Sequence, residues 1–367
     1  MRLLPQLKNI HLRLLERADD GQPMALATII DTRGSTPQMP GFSALFGHEG
    51  LIMGTLGGGI LEKDAERRAE AALRTQRSEL YEFDLEADLA SSEGAICGGS
   101  VRILIDAQPA RNAPAFQALC AALKKRVPGA LVTTIERKTE SPVLRRSWIP
   151  SDYQGEEAVH PAAWARFRNQ IAECLEQRRP GLFLEEGASS PADPTPGMLF
   201  VEPIFPLPRL LIAGAGHIGK SVAHLGHRLE FEVTVIDDRP EFANPENVPD
   251  ADDILVGEIG PTISSLPLEA DTYIVIVTRG HQHDAEALRA CIAAPSAYLG
   301  MIGSRTKIAL MRGRFLDRGW ATAEQWDRIH APIGIDIRSQ TVEEIAVSIA
   351  AQLVLTRSLQ TKKHSEA

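Results

Sequence analysis

A chain of 367 residues with 44% hydrophobic and 24% charged side chains carries enough apolar material for two soluble domains. Its 39 Lys and Arg against 48 Asp and Glu give a net charge of −9, which disfavours non-specific attachment to nucleic acid or to an anionic membrane. The four cysteines, Cys97, Cys120, Cys174 and Cys291, are scattered, which excludes a dense disulfide framework and paired C-x-x-C zinc spacing and fits a reducing cytoplasm. The opening stretch MRLLPQLKNIHLRLLERADDG interleaves charges with Leu7, Ile10, Leu14 and Leu15 at helical spacing. That is the pattern of a docked amphipathic helix rather than of a secretory leader. No apolar run approaches the roughly 20 residues that span a bilayer.

MALATIIDT predicts a buried strand, and GFSALFGHEGLIMGTLGGG two short strands around a His48-Glu49-Gly50 turn. ILEKDAERRAEAALRTQ lacks Gly and Pro and predicts a helix from about Ile60. Strands are expected at Leu80–Leu85, VRILIDAQ and ALVTTIERK, and a helix over Ala162–Glu176. Between Arg179 and Pro208 prolines accumulate around EEGASSPADPTPG, which marks a boundary between a mixed α/β domain over 1–195 and a second domain over 207–356. In the second, RLLIAGAG, FEVTVIDD, TYIVIVT and SAYLGMIG are short apolar runs separated by helical patterns, as a Rossmann-like parallel sheet requires. TVEEIAVSIAAQL opens with Thr341 and Glu344 in capping-box spacing and reads as a structural helix; RSLQTKKHSEA reads as a frayed tail.

Chemistry concentrates in the glycine-rich and polar loops. LLIAGAGHIGK sits between a strand and a helix: Gly214 permits a tight turn, Gly216 lets a pyrophosphate approach, and Gly219 allows close helix packing. Asp237, at the end of the next strand, would accept from ribose hydroxyls, with Asp238 and Arg239 leaving the register open. His217 either contacts phosphate or is a solvated filler. Gly57, Gly58 and Gly59 open a helix and suit an anion on converging amides, or a turn that needs positive φ. In the loop Arg33-Gly34-Ser35-Thr36-Pro37, Arg33 can fork a phosphate and Ser35 or Thr36 donate to it, or Ser35 or Thr36 stabilises a turn before Pro37. Arg279, His281, His283 and Asp284 of TRGHQHD follow a strand at the carboxyl edge, where a hydrogen-bonded loop is a better reading than a metal site because no third ligand stands out. Ser304 and Arg305 offer another anion site, or Arg305 and Lys307 a solvated helix face. Cys97, between Ile96 and Gly98-Gly99, is approachable as a thiolate ligand, against the ordinary fate of a small buried hydrophobe. The other three cysteines carry only that second reading.

Several blocks together resemble the XdhC/CoxI family of molybdenum-hydroxylase maturation factors. ATIIDTRGSTPQMPG, GTLGGGILEKD and GAICGGSVRILID resemble its N-terminal signatures. GAGHIG, VIDDRPEFA, TRGHQHDAEALRA, YLGMIGSRTKIALM and IHAPIGIDIRSQTVEEIAVSIAAQL follow in the family's order. One departure is Gly58-Gly59-Ile60 where many members have Gly-Gly-Cys, so no role for a loop cysteine transfers there. The resemblance implies a chaperone rather than an enzyme. It would bind molybdenum cofactor (molybdopterin) transiently, shield it during sulfuration, and deliver it to a xanthine dehydrogenase-like apoenzyme, with Cys97 as a candidate ligand. A cysteine desulfurase and a second copy of the chain are further candidate partners. The rival readings are an NAD(P)-dependent oxidoreductase with His281 as proton donor, and a sensor of NAD(P) or another dinucleotide.

Overall fold

The computed structural model describes residues 10–85, 99–136, 138, 140–153, 161–184 and 197–366. They divide into two compact units, the first ending at Pro206 and the second beginning at Leu207.

The first unit opens with helix α1 (Ile10–Asp19) and strands β1 (Ala25–Gly34), β2 (Ser43–Gly47) and β3 (Gly50–Gly54), followed by α2 (Gly59–Thr75), β4 (Glu79–Asp84) and β5 (Gly99–Asp106). These strands form an antiparallel sheet of order β3-β2-β1-β5-β4. Period-two alternation sends Ala25, Ala27 and Ile29 to one face, where Leu61, Ala65, Ala69 and Leu73 of α2 cover them. Leu26 and Leu45 face the other way, onto Leu14 of α1 and onto Phe116 and Leu119 of α3 (Ala113–Lys124). Strands β6 (Gly129–Glu136), β7 (Val143–Pro150), β8 (Gly181–Leu184) and β9 (Met198–Ile204), with helix α4 (Pro161–Gln177), build a second antiparallel sheet of order β7-β6-β9-β8. Two of its strands, β8 and β9, lie inside the proline-rich stretch that reads as a boundary in the sequence. Arg33 and Gly34, expected in a loop, end β1 instead and pair with Ser100 and Gly99.

The second unit contains β10 (Arg209–Ala213), α5 (His217–Arg228), β11 (Glu232–Asp237), β12 (Asp253–Val256), α6 (Ile259–Ser264), β13 (Thr272–Ile276), α7 (His281–Cys291), β14 (Tyr298–Met301), α8 (Arg305–Asp317), α9 (Ala323–Asp327) and α10 (Val342–Glu366). Its strands are all parallel, in the order β12-β11-β10-β13-β14. The chain winds outward in both directions from β10, so a topological switch point lies at the carboxyl end of that strand, where open α/β sheets bind ligands. Leu211, Ala213, Ile274 and Ile276 pack under α7 and α8 on one face. Leu210, Ile212, Tyr273 and Val275 pack under α5 and α10 on the other.

The expected capping box of α10 is present: Glu344 N donates to Thr341 Oγ1 at 3.2 Å, and Thr341 N to Glu344 Oε2 at 3.1 Å. The expected frayed tail is helical instead. Arg357 donates to Leu229 O, and Gln360 accepts from Tyr273 OH while donating to Ala297 O, so tertiary contacts hold this end of α10. Among the described residues no helix is long and apolar enough to cross a membrane.

Candidate functional site

In the first unit the two polar loops abut. A Cβ added at Gly57 would lie 2.8 Å from Pro37 Cβ, so the turn before α2 packs on the loop after β1. Gly57, Gly58 and Gly59 take φ of +110°, +73° and +63°, a run that only glycine adopts cheaply. The converging groups already have an acceptor. Glu62 Oε2 receives Thr55 Oγ1 at 2.7 Å, Leu56 N at 3.0 Å and Gly58 N at 3.4 Å, while Gly57 N donates to Thr55 Oγ1 at 3.0 Å. These bonds, led by Thr55, outweigh burial and hold the Glu62 carboxyl below its ordinary range. A Cβ at Gly58 or Gly59 would meet open space. Arg33 and Ser35 are exposed, and the Arg33 guanidinium has no hydrogen-bond partner among the described residues. Gly99 packs so closely on Arg33 O and Ser35 O that a side chain would collide there. Thr36 Oγ1 bonds Gln38 O at 2.9 Å, the turn-stabilising alternative. Cys97 lies outside the described residues.

In the second unit the glycine loop joins β10 to α5. Gly214 has φ +115° and sits 2.5 Å from Val277 O at its missing Cβ position, while a Cβ at Gly219 would overlap Gly214 O. Gly216, the N-cap of α5, has φ −70° and empty space at its missing Cβ, so neither backbone strain nor packing calls for glycine there. His217 follows, exposed on the first turn. Asn247 Nδ2 holds the loop by donating to Ala215 O at 2.9 Å.

Asp237 is buried, and its carboxylate turns inward. Oδ2 accepts from Ala215 N at 2.8 Å and from Arg239 Nη2 at 2.9 Å; Oδ1 accepts from Arg239 Nε at 2.8 Å and Arg239 N at 3.0 Å. Burial would raise its pKa, but Arg239 and the amides override that and keep it below the ordinary carboxylate range. This carboxylate splints the glycine loop to the end of β11 and is only 1% exposed. Its neighbour Asp238 is the acid that reaches the adjoining cleft, with Oδ2 2.6 Å from Arg279 Nη2.

The TRGHQHD segment begins α7 rather than remaining a loop, with His281 exposed in its first turn and His283 Nδ1 3.6 Å from Glu286 Oε2. Asp284 is fully buried: Thr278 Oγ1 donates to Oδ1 at 2.6 Å, and Lys307 Nζ pairs with Oδ2 while also donating to Ile302 O at 3.2 Å. Lys307, with its side chain 26% exposed, is therefore the partner of a buried carboxylate rather than part of a solvated helix face. Ser304 caps α8 by accepting from Lys307 N at 3.2 Å, and Arg305 is exposed beside it. His217, Asp238, His281, Ser304 and Arg305 thus share the carboxyl edge of one parallel sheet. Among the described residues no group of three or more His, Cys, Asp or Glu side chains could hold a metal ion. Cys120, Cys174 and Cys291 are buried in α3, α4 and α7, and burial raises their thiols to about 11, 11 and 12. Sequence reasoning missed Glu62, Asn247 and the Thr278-Asp284-Lys307 network, none of which stands in a motif that announces its partner.

The XdhC and CoxI family profile matches residues 17–84, and the XdhC Rossmann domain profile matches residues 210–353. A Bacillus subtilis (strain 168) protein, described as a probable xanthine dehydrogenase subunit, is 27% identical over 353 residues, 95% of this chain and 98% of that protein. YqeB of Escherichia coli K12 is 24% identical over 95% of this chain, which spans 46% of that longer protein. The E. coli molybdenum cofactor insertion chaperone PaoD is 25% identical over 100 residues, 27% of this chain and 31% of its own. A crystal structure from Bacillus halodurans, described as a xanthine dehydrogenase, superposes with a TM-score of 0.72 at 25% identity, over 95% of this chain and 96% of that one. With its antiparallel first unit, its parallel second unit and both profiles matched in order, the chain belongs to the XdhC and CoxI family.

Proposed function

We propose that this chain is a cytoplasmic maturation factor for a molybdenum hydroxylase. It binds molybdenum cofactor as cargo, shields it while the terminal sulfido ligand is installed, and hands it to a xanthine dehydrogenase-like apoenzyme. The observation that carries this reading is the pair of abutting loops inside the family match. There, Arg33 has no hydrogen-bond partner among the described residues, and the backbone at Gly58 and Gly59 borders open space. Arg33 and Ser35 would hold the cofactor's phosphate beside Gly57, Gly58 and Gly59, with Glu62 keeping that turn in shape. In the second unit, Gly214, Gly216 and Gly219, with His217 at the helix start, would receive a nucleotide pyrophosphate. His281, Ser304 and Arg305 would complete the rim of that second site. Asp237 acts beneath it as the splint. Cys97 would supply the soft thiolate for molybdenum or for the sulfur being installed. A cysteine desulfurase as sulfur donor, and a second copy of the chain, belong to the same proposal as partners.

Equilibrium binding of released cofactor to the full chain tests it, followed by activation of a xanthine dehydrogenase-like apoenzyme. Saturable, near-stoichiometric binding is expected; absence of binding, when a control chaperone binds the same preparation, overturns the reading. Cys97→Ala should then lower the sulfido-enzyme activity recovered per folded molecule while Cys174→Ala does not. The parallel sheet with its glycine loop also favours a second reading, an NAD(P)-dependent oxidoreductase. Steady NAD(P)H turnover with a small-molecule substrate, and no cofactor binding, would select it.

A further inference from the structure

Helix α10 lies on the parallel sheet by one side. Ala346, Ile349 and Leu353 pack into the core there, and Ser348 Oγ donates to Ile335 O at 2.6 Å, so the segment before the helix runs along its flank. The stretch IAVSIAAQLVLT, Ile345–Thr356, contains no charged residue, and a helix that is apolar all round is ordinarily buried all round. Val347, Val354, Leu355 and Leu359 are instead 38–53% exposed. With Ile335 and Ile337 they make up nearly half of the large apolar side chains exposed among the described residues, gathered in one segment. Such a concentration marks an interaction surface.

The pattern of the helix says what that surface fits. Val347, Ala351, Val354 and Ser358 stand four, three and four residues apart, the seam of a two-helix pairing, and the spacing is the same read from either end. The helix sequence also opens on Glu343 and Glu344 and closes on Lys362 and Lys363. Two copies laid in the same direction would bring acid to acid and base to base; laid in opposite directions, each acidic end meets a basic one.

We infer that the outer face of α10 is the contact between two copies of this chain, packed antiparallel about a two-fold axis that passes between Gln352 and Leu353. Val347 then meets the partner's Ser358, and Ala351 meets the partner's Val354. Leu355 and Leu359 flank the seam on the side of the helix that carries Ser348, so they extend the contact onto the partner's Ile335. A second copy already belongs to the proposed function as a partner; the pairing deepens that part of it and needs no bound cofactor.

Light scattering on the full chain across a dilution series tests it, with twice the monomer mass expected at high concentration and the monomer mass on dilution. Val354→Glu should weaken pairing at least about hundredfold, because it would bury two unpaired carboxylates near the centre of the seam. Val354→Ser removes apolar area without adding a charge. It should weaken pairing about tenfold and keep the wild-type circular dichroism, which separates a lost contact from a lost fold. Orientation is read by disulfide cross-linking of single cysteines in a Cys97→Ala chain. The antiparallel pair sets the two copies of residue 351 about 4.5 Å apart along the axis, and those of residue 347 about 16.5 Å apart. Ala351→Cys should therefore link to itself, Val347→Cys should not, and a mixture of Val347→Cys and Ser358→Cys should give the mixed dimer. A monomer at every concentration, a dimer that Val354→Glu leaves intact, or self-linking of Val347→Cys overturns the inference. Cofactor binding measured on the same samples keeps the two readings apart: a monomer that binds molybdenum cofactor overturns the pairing and leaves the maturation role standing.

Discussion

The two glycine loops look alike in sequence, yet their glycines answer different demands. At 57–59 every glycine has positive φ, and a Cβ at Gly58 or Gly59 would touch nothing, so the residue type serves the backbone's path. At 214–219 the demand is mainly for space: Gly219 rests on Gly214 O, and only Gly214 also needs positive φ. Gly216 needs neither. Each loop also directs amides at a carboxylate from its own fold, Glu62 in the first and Asp237 in the second. Glu62 is partly exposed on the helix that its loop opens, whereas Asp237 is buried and clamped by Arg239. The lesson is that a glycine-rich turn before a helix becomes evidence for a ligand only after the glycines required by conformation, by packing and by internal acceptors have been set aside.

The sharpest way to break this contrast is to remove the buried carboxylate. Asp237→Ala should destabilise the second unit by about 3 kcal/mol, because it strands Arg239 and the Ala215 amide. Chemical denaturation of the full chain, followed by a probe in each unit, should show one transition moving and the other unchanged. Gly219→Ala should cost about 2 kcal/mol through overlap with Gly214 O, and an unaltered transition would mean that the loop relaxes freely.

Glu62→Gln should cost the first unit about 1 kcal/mol at neutral pH, since an amide keeps some of the hydrogen bonds. Its effect should depend on pH. The folded pKa of Glu62 lies below its ordinary 4.5, so its contribution is present above that value and is lost as pH falls through the lower folded value. Acid unfolding of the variant should therefore be less steep below about pH 4.5 than that of wild type. Equal steepness would show that the turn does not depend on this carboxylate. The smallest stability change is expected at Gly216→Asp, within about 0.5 kcal/mol, because aspartate is a good N-cap. Nucleotide binding should nevertheless fall at least about tenfold, as the new carboxylate occupies the place of the phosphate. Unchanged binding would remove the argument that Gly216 is kept for a ligand.

Much of this was legible in the sequence. Alternation of apolar runs and helical patterns gave the parallel sheet, Thr341 and Glu344 gave the cap of α10, and glycine spacing located the loop before α5. Other features depended on partners far along the chain. Strand β9 is hidden among prolines and acquires its character by pairing with β6, and the last turns of α10 look polar until Gln360 is seen between Tyr273 and Ala297. Asp237 and Asp238 are adjacent and chemically identical. Which one turns into the loop follows from the direction of side chains at the end of a strand, which composition and spacing do not reveal. Glu62 resembles any exposed helix acid until the turn before it folds back onto its carboxylate.

The Asp284-Lys307 pair has a consequence for the timing of motions at the sheet edge. Asp284 lies in the first turn of α7 and Thr278 just before that helix, while Lys307 lies in the first turn of α8 and Ile302 just before it, so one ion pair fastens both helix starts. Neither can lift away without breaking the pair that neutralises the fully buried Asp284 carboxylate, which makes separate fraying of either end expensive. In deuterium exchange the backbone amides of these two first turns should open together as one cooperative unit, at a common rate, and Lys307→Met should split them into two.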